Sequence, residues 1–219
     1  MPVRKIPKNH VSVTGVHATS KSIDHAEFES PLENDFLTLL DFDPRVKSYE
    51  VQPVRVPVNG VANGYVPDVL VHFHPDESGN PVPSELTEVK SERDYAINEA
   101  KYAPKFAAAE AFARERGWCF VRKSNVDIRS PLIANLKFLR RYRWIEPSDA
   151  AERALLNELT RQGDHSSSER LISCLAESDD AKAKLLPILW HLVVTDRIDV
   201  DLHVEFGADV PLWLARSTE

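Results

Sequence analysis

The stretch from Tyr65 to Lys90 constrains this chain more than any other. An apolar run, Tyr65-Val66-Pro67-Asp68-Val69-Leu70-Val71, is followed by a polar turn, Asp76-Glu77-Ser78-Gly79-Asn80, and then by a second run, Leu86-Thr87-Glu88-Val89-Lys90. Two β-prone runs around a turn of this composition read as the strands of one hairpin. Folding the stretch about Ser78 sets Asp68 opposite Glu88, and period-two alternation puts Leu86, Glu88 and Lys90 on one side of the second strand. Directly opposed Cβ atoms in an antiparallel pair are about 5 Å apart, and at an effective dielectric of ~20 two carboxylates so placed repel by about 3 kcal/mol. A nearby cation offsets that repulsion, and Lys90 brings an ammonium to the same point.

An Asp followed by Glu-x-Lys on the next strand resembles the pattern of the PD-(D/E)xK nucleases, spelled here Pro67-Asp68 and Glu88-Val89-Lys90. In a chain that is 28% charged, the same residues also read as a half-buried hairpin with a cross-strand salt bridge. The context has to separate the two.

With 219 residues, 42% of them hydrophobic, the chain has material for one large domain or for a large and a small one. No apolar run approaches the ~20 residues of a membrane span, and the start, Met1-Pro2-Val3-Arg4-Lys5-Ile6-Pro7-Lys8, has no hydrophobic signal core. Two cysteines, Cys119 and Cys174, are too few for a disulfide framework or a zinc site and point to a reducing cytoplasm. The net charge of -7 argues at first against nucleic acid, whose binding needs Lys and Arg to displace counterions from phosphates. Its distribution argues otherwise: residues 101 to 143 carry eleven bases and three acids, a surface for phosphates or a solvated helix face.

Residues 1–25 are polar and aperiodic and read as an extended arm, laid on a nucleic-acid backbone or disordered. A helix from Ser30 to about Asp41 has Ser30 as N-cap, Pro31 at its first position and Glu33 three residues after the cap. That is a capping box, which accounts for Glu33 without catalysis; the alternative is that Glu33 points to the same site as Asp68 and Glu88. Val46 to Val58 reads as a strand that Pro53 and Pro57 confine to an edge or split. A helix over 96–116, a short strand at Trp118–Val121 and a helix after Ser130-Pro131 complete an α/β domain covering residues 1–145. Beyond Glu146-Pro147, helical patterns at 149–161, 167–177 and 180–194 precede an alternating stretch, Arg197–Leu202, and a return at Val210–Leu214. Residues 146–219 thus read as a winged-helix-like domain, or as a small dimerisation or docking bundle.

The line Ser30-Pro31-Leu32-Glu33-Asn34-Asp35-Phe36-Leu37-Thr38-Leu39-Leu40-Asp41-Phe42-Asp43-Pro44, followed by Gln52-Pro53, Pro67-Asp68 and Glu88-Val89-Lys90, resembles the TnsA family. Leu189-Trp190-His191-Leu192 and Arg197–Leu202 resemble that family's second domain. The resemblance implies a restriction-endonuclease-like PD-(D/E)xK core with a C-terminal winged-helix domain. It also implies an endonuclease subunit of a heteromeric cut-and-paste transposase, acting on double-stranded DNA at transposon ends beside a DDE-type transposase subunit and an AAA+ regulator. The family's catalytic roles carry onto Glu33, Asp68, Glu88 and Lys90, while Gln52 occupies a matching position whose role is open. The same core also suits a stand-alone nuclease, or a non-catalytic adaptor that uses the fold for docking.

Phosphodiester hydrolysis needs a water made nucleophilic at neutral pH and a stabilised charged transition state, both of which Mg²⁺ or Mn²⁺ can supply. Mg²⁺ takes oxygen ligands and keeps several waters, so Asp68, Glu88, Glu33 and the Val89 carbonyl form a sufficient set, with Lys90 orienting the attacking water. His72 and His74 are not needed as ligands and are expected at the rim.

Overall fold

The computed structural model describes residues 13–163, 166–207 and 209–215 of a mixed α/β chain. The chain divides into two compact units, one ending at Arg129 and the other beginning at Ser130.

In the first unit β1 (Gly15–Val16) pairs antiparallel with β2 (Glu27–Phe28), and α1 (Pro31–Phe42) follows. Then come β3 (Val46–Val51), a ribbon of β4 (Val56–Val58) and β5 (Val61–Tyr65), β6 (Val69–Phe73), β7 (Glu85–Val89), α2 (Glu92–Ile97), α3 (Glu99–Arg114), β8 (Cys119–Lys123) and α4 (Asn125–Ile128). The central sheet has the order β3-β6-β7-β8, with only β7 and β8 parallel. That parallel pair is joined through α2 and α3, the long crossover that parallel neighbours require.

β6 and β7 pair with Val69 opposite Thr87, Leu70 opposite Leu86 and Val71 opposite Glu85. This is the register centred on Ser78 that the sequence predicts, and its next step outward sets Asp68 against Glu88. Burial on both faces fixes it. Val69 and Val71 enter a core built with Leu32, Phe36, Leu37 and Leu40 of α1, whereas Leu70 and Leu86 pack with Ala113 of α3. A one-residue slip would exchange the two sets.

Two local expectations are revised and a third is met. The strand expected over 46–58 is split into β3 and β4, as the prolines allowed, and Gln52 adopts a positive φ of 48° immediately before Pro53. The helix expected over 96–116 begins at Glu92, where Ser91 caps it by accepting from Asp94 N, and is interrupted at Asn98. Of the arm expected over residues 1–25, residues 1–12 lie outside the described residues, while 13–25 are docked on the unit. His17 is buried, with Nδ1 2.7 Å from Asn34 Oδ1 and Nε2 2.9 Å from Asp41 Oδ2, and Lys21 Nζ donates to the carbonyls of Leu40 and Asp43 at the end of α1.

The second unit contains α5 (Pro131–Leu139), a 3₁₀ turn (Arg140–Trp144), α6 (Asp149–Gln162), β9 (Ser166–Ser167), α7 (Ser168–Leu175), α8 (Asp179–Val194), β10 (Ile198–Asp199) and β11 (Pro211–Leu214). Its small antiparallel sheet has the order β10-β11-β9, and of the alternating stretch 197–202 only Ile198 and Asp199 are paired. Pro187 lies within α8. The division between the compact units falls before α5, and Leu139 is buried with Leu155, Leu159, Leu189, Leu192 and Leu212 in the second core. Among the described residues no helix is long and apolar enough to cross a membrane, and Cys119 and Cys174 are both free and exposed.

Candidate active site

The ends of β5, β6 and β7 bring their polar residues to one place. Lys90 Nζ lies 3.0 Å from Asp68 Oδ2 and 3.1 Å from Glu88 Oε1, so one ammonium is shared by the two carboxylates. The backbone builds the acid pair as firmly as the charges do. Asp68 Oδ2 accepts from Val89 N at 2.8 Å, Asp68 N donates to the Thr87 carbonyl at 3.1 Å, and Gln52 N donates to the Asp68 carbonyl at 2.8 Å. Glu88 is buried, and its Oε2 accepts a 2.6 Å hydrogen bond from Tyr65 Oη. Tyr95 Oη donates to the Glu88 carbonyl at 3.0 Å, tying α2 to the same strand.

Electrostatics follow from this crowding. Burial, reinforced by the charge of Asp68, raises the Glu88 carboxyl from 4.5 to about 7, against smaller lowering effects of Lys90 and Tyr65. Burial and then Asp68 likewise raise Glu33 from 4.5 to about 7. Burial works against the Lys90 ammonium but is overcome by Asp68, Glu88 and Glu33, which hold it well above the ordinary lysine range. Burial, then Glu88, also pushes the Tyr65 phenol upward, so it keeps its proton and serves as a donor.

Asp68, Glu88 and Lys90 therefore converge, whereas Glu33 is only partly with them. Its carboxylate feels Asp68 and Lys90, yet its oxygens are engaged at the helix start: Oε2 accepts from Glu29 N at 2.7 Å and Oε1 from Ser30 Oγ at 3.0 Å. The cap differs from the expected capping box in that the backbone donor to Glu33 is Glu29, one residue earlier than Ser30. Val89 offers a carbonyl that accepts from Lys90 Nζ at 3.0 Å. Among the described residues no group of three or more His, Cys, Asp or Glu side chains is placed to hold a metal ion. The donors that are present, two carboxylates and a carbonyl oxygen, are the hard, partial set that Mg²⁺ accepts while retaining waters. His72 is not at the rim: it is turned to Ser84 Oγ (2.9 Å) and Glu50 Oε1 (3.2 Å), while His74 lines a different cavity.

These groups open on a cleft of about 570 Å³ whose other walls had no motif to announce them. Glu29, Arg55 and Asn63 line it, as do Lys101, Tyr102 and Lys105 of α3. The one available signal was spacing: Lys101 and Lys105 stand i, i+4 on a helix, hence on one face. Gln52 also lines the cleft, buried and with its Nε2 donating to Glu29 Oε1 at 3.1 Å, while its Oε1 has no partner among the described residues. A larger cavity of about 780 Å³ lies at the other end of the strands, beside Phe73 and Glu85, and contains none of the converging residues.

Fold and site thus define a mixed α/β protein that concentrates two acids and a lysine in one cleft, a chemistry suited to an endonuclease. Residues 43–123 match the model of the TnsA-like endonuclease N-terminal domain and residues 127–202 that of the TnsA endonuclease C-terminal domain. The chain belongs to the TnsA family, endonuclease subunits of transposases. Asp68, Glu88 and Lys90 fall inside the first match and Glu33 precedes it. No curated protein matches the chain.

Proposed function

We propose that the first unit is a PD-(D/E)xK-type DNA endonuclease dependent on Mg²⁺ or Mn²⁺. In this reading it acts in the cytoplasm on double-stranded DNA, cutting near the 5′ ends of a transposon. A DDE-type transposase subunit cleaves and joins the 3′ ends, and an AAA+ regulator governs the pair. The observation that carries the reading is the sharing of the Lys90 ammonium between Asp68 and Glu88 at 3.0 and 3.1 Å, within a family of endonucleases.

Asp68, Glu88, the Val89 carbonyl and Glu33 are the groups that would hold the metal, which supplies Lewis-acid stabilisation and a nucleophilic water at neutral pH. Asp68 is oriented by the Val89 N–H, and Glu88 by Tyr65, so neither carboxylate has to search for its position. Lys90, relieved of neutralising the acids, presents its ammonium to the attacking water and to charge growing on the phosphate. The second unit, which has four α-helices and a small antiparallel sheet among its described residues, would be a winged-helix-like domain serving DNA or partner engagement.

Strand-specific mapping of cuts on candidate transposon ends, with and without the partner transposase, tests the reading. Glu88→Ala should abolish the 5′-strand cut and leave 3′-end joining intact, converting simple insertions into cointegrates that retain donor DNA. Unchanged simple insertions would show that the chain is not the 5′-strand nuclease and would leave it the adaptor role. Cutting at a defined sequence by the purified chain alone would make it a stand-alone nuclease.

A further inference from the structure

The cleft is lined by groups of opposite charge. Asp68 and Glu88, already balanced by Lys90, share it with Lys101 and Lys105 of α3. Among the described residues neither Lys101 nor Lys105 is in an ion pair. What holds them is aromatic: Lys105 Nζ sits 5.9 Å from the ring centroids of both Tyr65 and Tyr102, and Lys101 Nζ 5.8 Å from that of Tyr102. The shelf itself is fixed, because Tyr102 stacks on Phe106 with centroids 5.3 Å apart and its hydroxyl donates to Asp94 Oδ2 at 2.6 Å.

An aromatic face orients an ammonium without neutralising it, in contrast to a carboxylate. Two cations one helical turn apart, free of ion pairs among the described residues in a cleft that also holds acids, have the chemistry of an anion seat. The acids repel a phosphate until a cation covers them, so the two lysines have to supply the attraction.

We propose that Lys101 and Lys105 form a phosphate seat that grips the backbone of the DNA strand beside the scissile bond. This rests on the nuclease reading of the same cleft and adds the residues that position its substrate. The two lysines are positioning residues: they hold the strand, while the acids and Lys90 face the bond that breaks. The seat reads backbone and not bases, so its affinity is independent of sequence and dependent on salt.

The test is the salt dependence of binding, measured by fluorescence anisotropy with the full-length chain and a short duplex, Ca²⁺ replacing Mg²⁺. Each phosphate contact contributes about 0.9 to the slope of log K against log salt. Lys105→Gln should lower the slope by about 1 and Lys101→Gln/Lys105→Gln by about 2, whereas Lys101→Arg/Lys105→Arg, which keeps both charges, should restore it. Lys47→Gln, an exposed change on β3, controls for net charge and should leave the slope unaltered. An unchanged slope in the double variant, or an equal drop in Lys47→Gln, overturns the seat. If strand cutting persists in that case, the proposal fails alone; if Glu88→Ala leaves cutting intact while the slopes fall as stated, the nuclease reading fails alone. A wild-type chain that neither binds nor cuts overturns both.

Discussion

The phenol of Tyr65 and the carboxylate of Glu88, 23 positions apart, meet in a 2.6 Å hydrogen bond that joins the β4–β5 ribbon to the central sheet. The bond stabilises the ionised form of a carboxyl that burial drives toward neutrality. Tyr65→Phe keeps the ring, and with it the contact to Phe106, but removes the donor. The carboxylate then loses a partner in a buried place, a cost of about 1–3 kcal/mol. Its proton is also held more tightly, so Mn²⁺ affinity at neutral pH should fall several-fold. Denaturation and calorimetric titration read the two effects separately, and an unchanged Mn²⁺ affinity would mean that Tyr65 has no hold on the metal site.

A pH prediction follows from Glu33 and Glu88, both raised from 4.5 to about 7. For an acid raised on folding, the contribution to stability is complete below the unfolded value and disappears as pH rises through the folded one. In EDTA, stability should therefore decline between about pH 4.5 and 7, by a few kcal/mol at most since the two acids share one environment. Lys90, shifted upward as a base, loses nothing in this window. A divalent ion competes with those protons, so its stabilisation should grow over the same interval, and curves with EDTA and with Mg²⁺ should diverge from pH 5 to 8. Parallel curves would count against metal binding at these acids.

Much of the site was legible because strand pairing is local arithmetic. Two apolar runs about a turn centred on Ser78 leave few registers, and burial on both faces of β6 and β7 leaves one. The lysines of the cleft were not legible, since Lys105 reaches Tyr65, and Lys101 the same cleft, through packing of a helix on a ribbon that no periodicity describes. The docking of residues 13–25 was hidden for a related reason. Its contacts, His17 with Asn34 and Asp41, are polar and specific, and leave no apolar pattern in sequence. The placement of α5 escaped because an amphipathic helix announces that it buries a face but not which core receives it.

That docking makes Asp41 a stability determinant. Burial tends to raise its carboxyl, but bonds from His17, Thr19 and Tyr49, together with the charge of His17, outweigh it and leave the pKa below 3.8. An acid lowered on folding contributes stability above its unfolded value and loses it as pH falls through the folded one, so this network should fail only below about pH 4. Asp41→Ala removes an acceptor from buried His17 and Tyr49 and from half-buried Thr19, and should cost about 3 kcal/mol at neutral pH. Proteolysis would then cut within residues 13–25 well before the rest of the unit. Equal protection of that segment in wild type and variant would separate Asp41 from the docking.

The ribbon that carries Tyr65 to Glu88 depends on Gly64, and Gly60 provides the control. Both have a positive φ, 60° and 78°, where any side chain is strained. A Cβ at Gly60 would meet nothing within 4 Å, so Gly60→Ala should cost about 1 kcal/mol, the backbone preference alone. A Cβ at Gly64 would stand 2.6 Å from the Val56 carbonyl oxygen, a backbone atom of the facing strand that cannot swing aside. Relief requires β4 and β5 to part, and β5 ends at Tyr65. Gly64→Ala should therefore cost about 2–4 kcal/mol, the sum of a conformational and a steric penalty. It should also weaken the Tyr65–Glu88 bond, lowering Mn²⁺ affinity as Tyr65→Phe does. If Gly64→Ala and Gly60→Ala lose the same stability and bind Mn²⁺ alike, the close approach at Val56 does not govern the site.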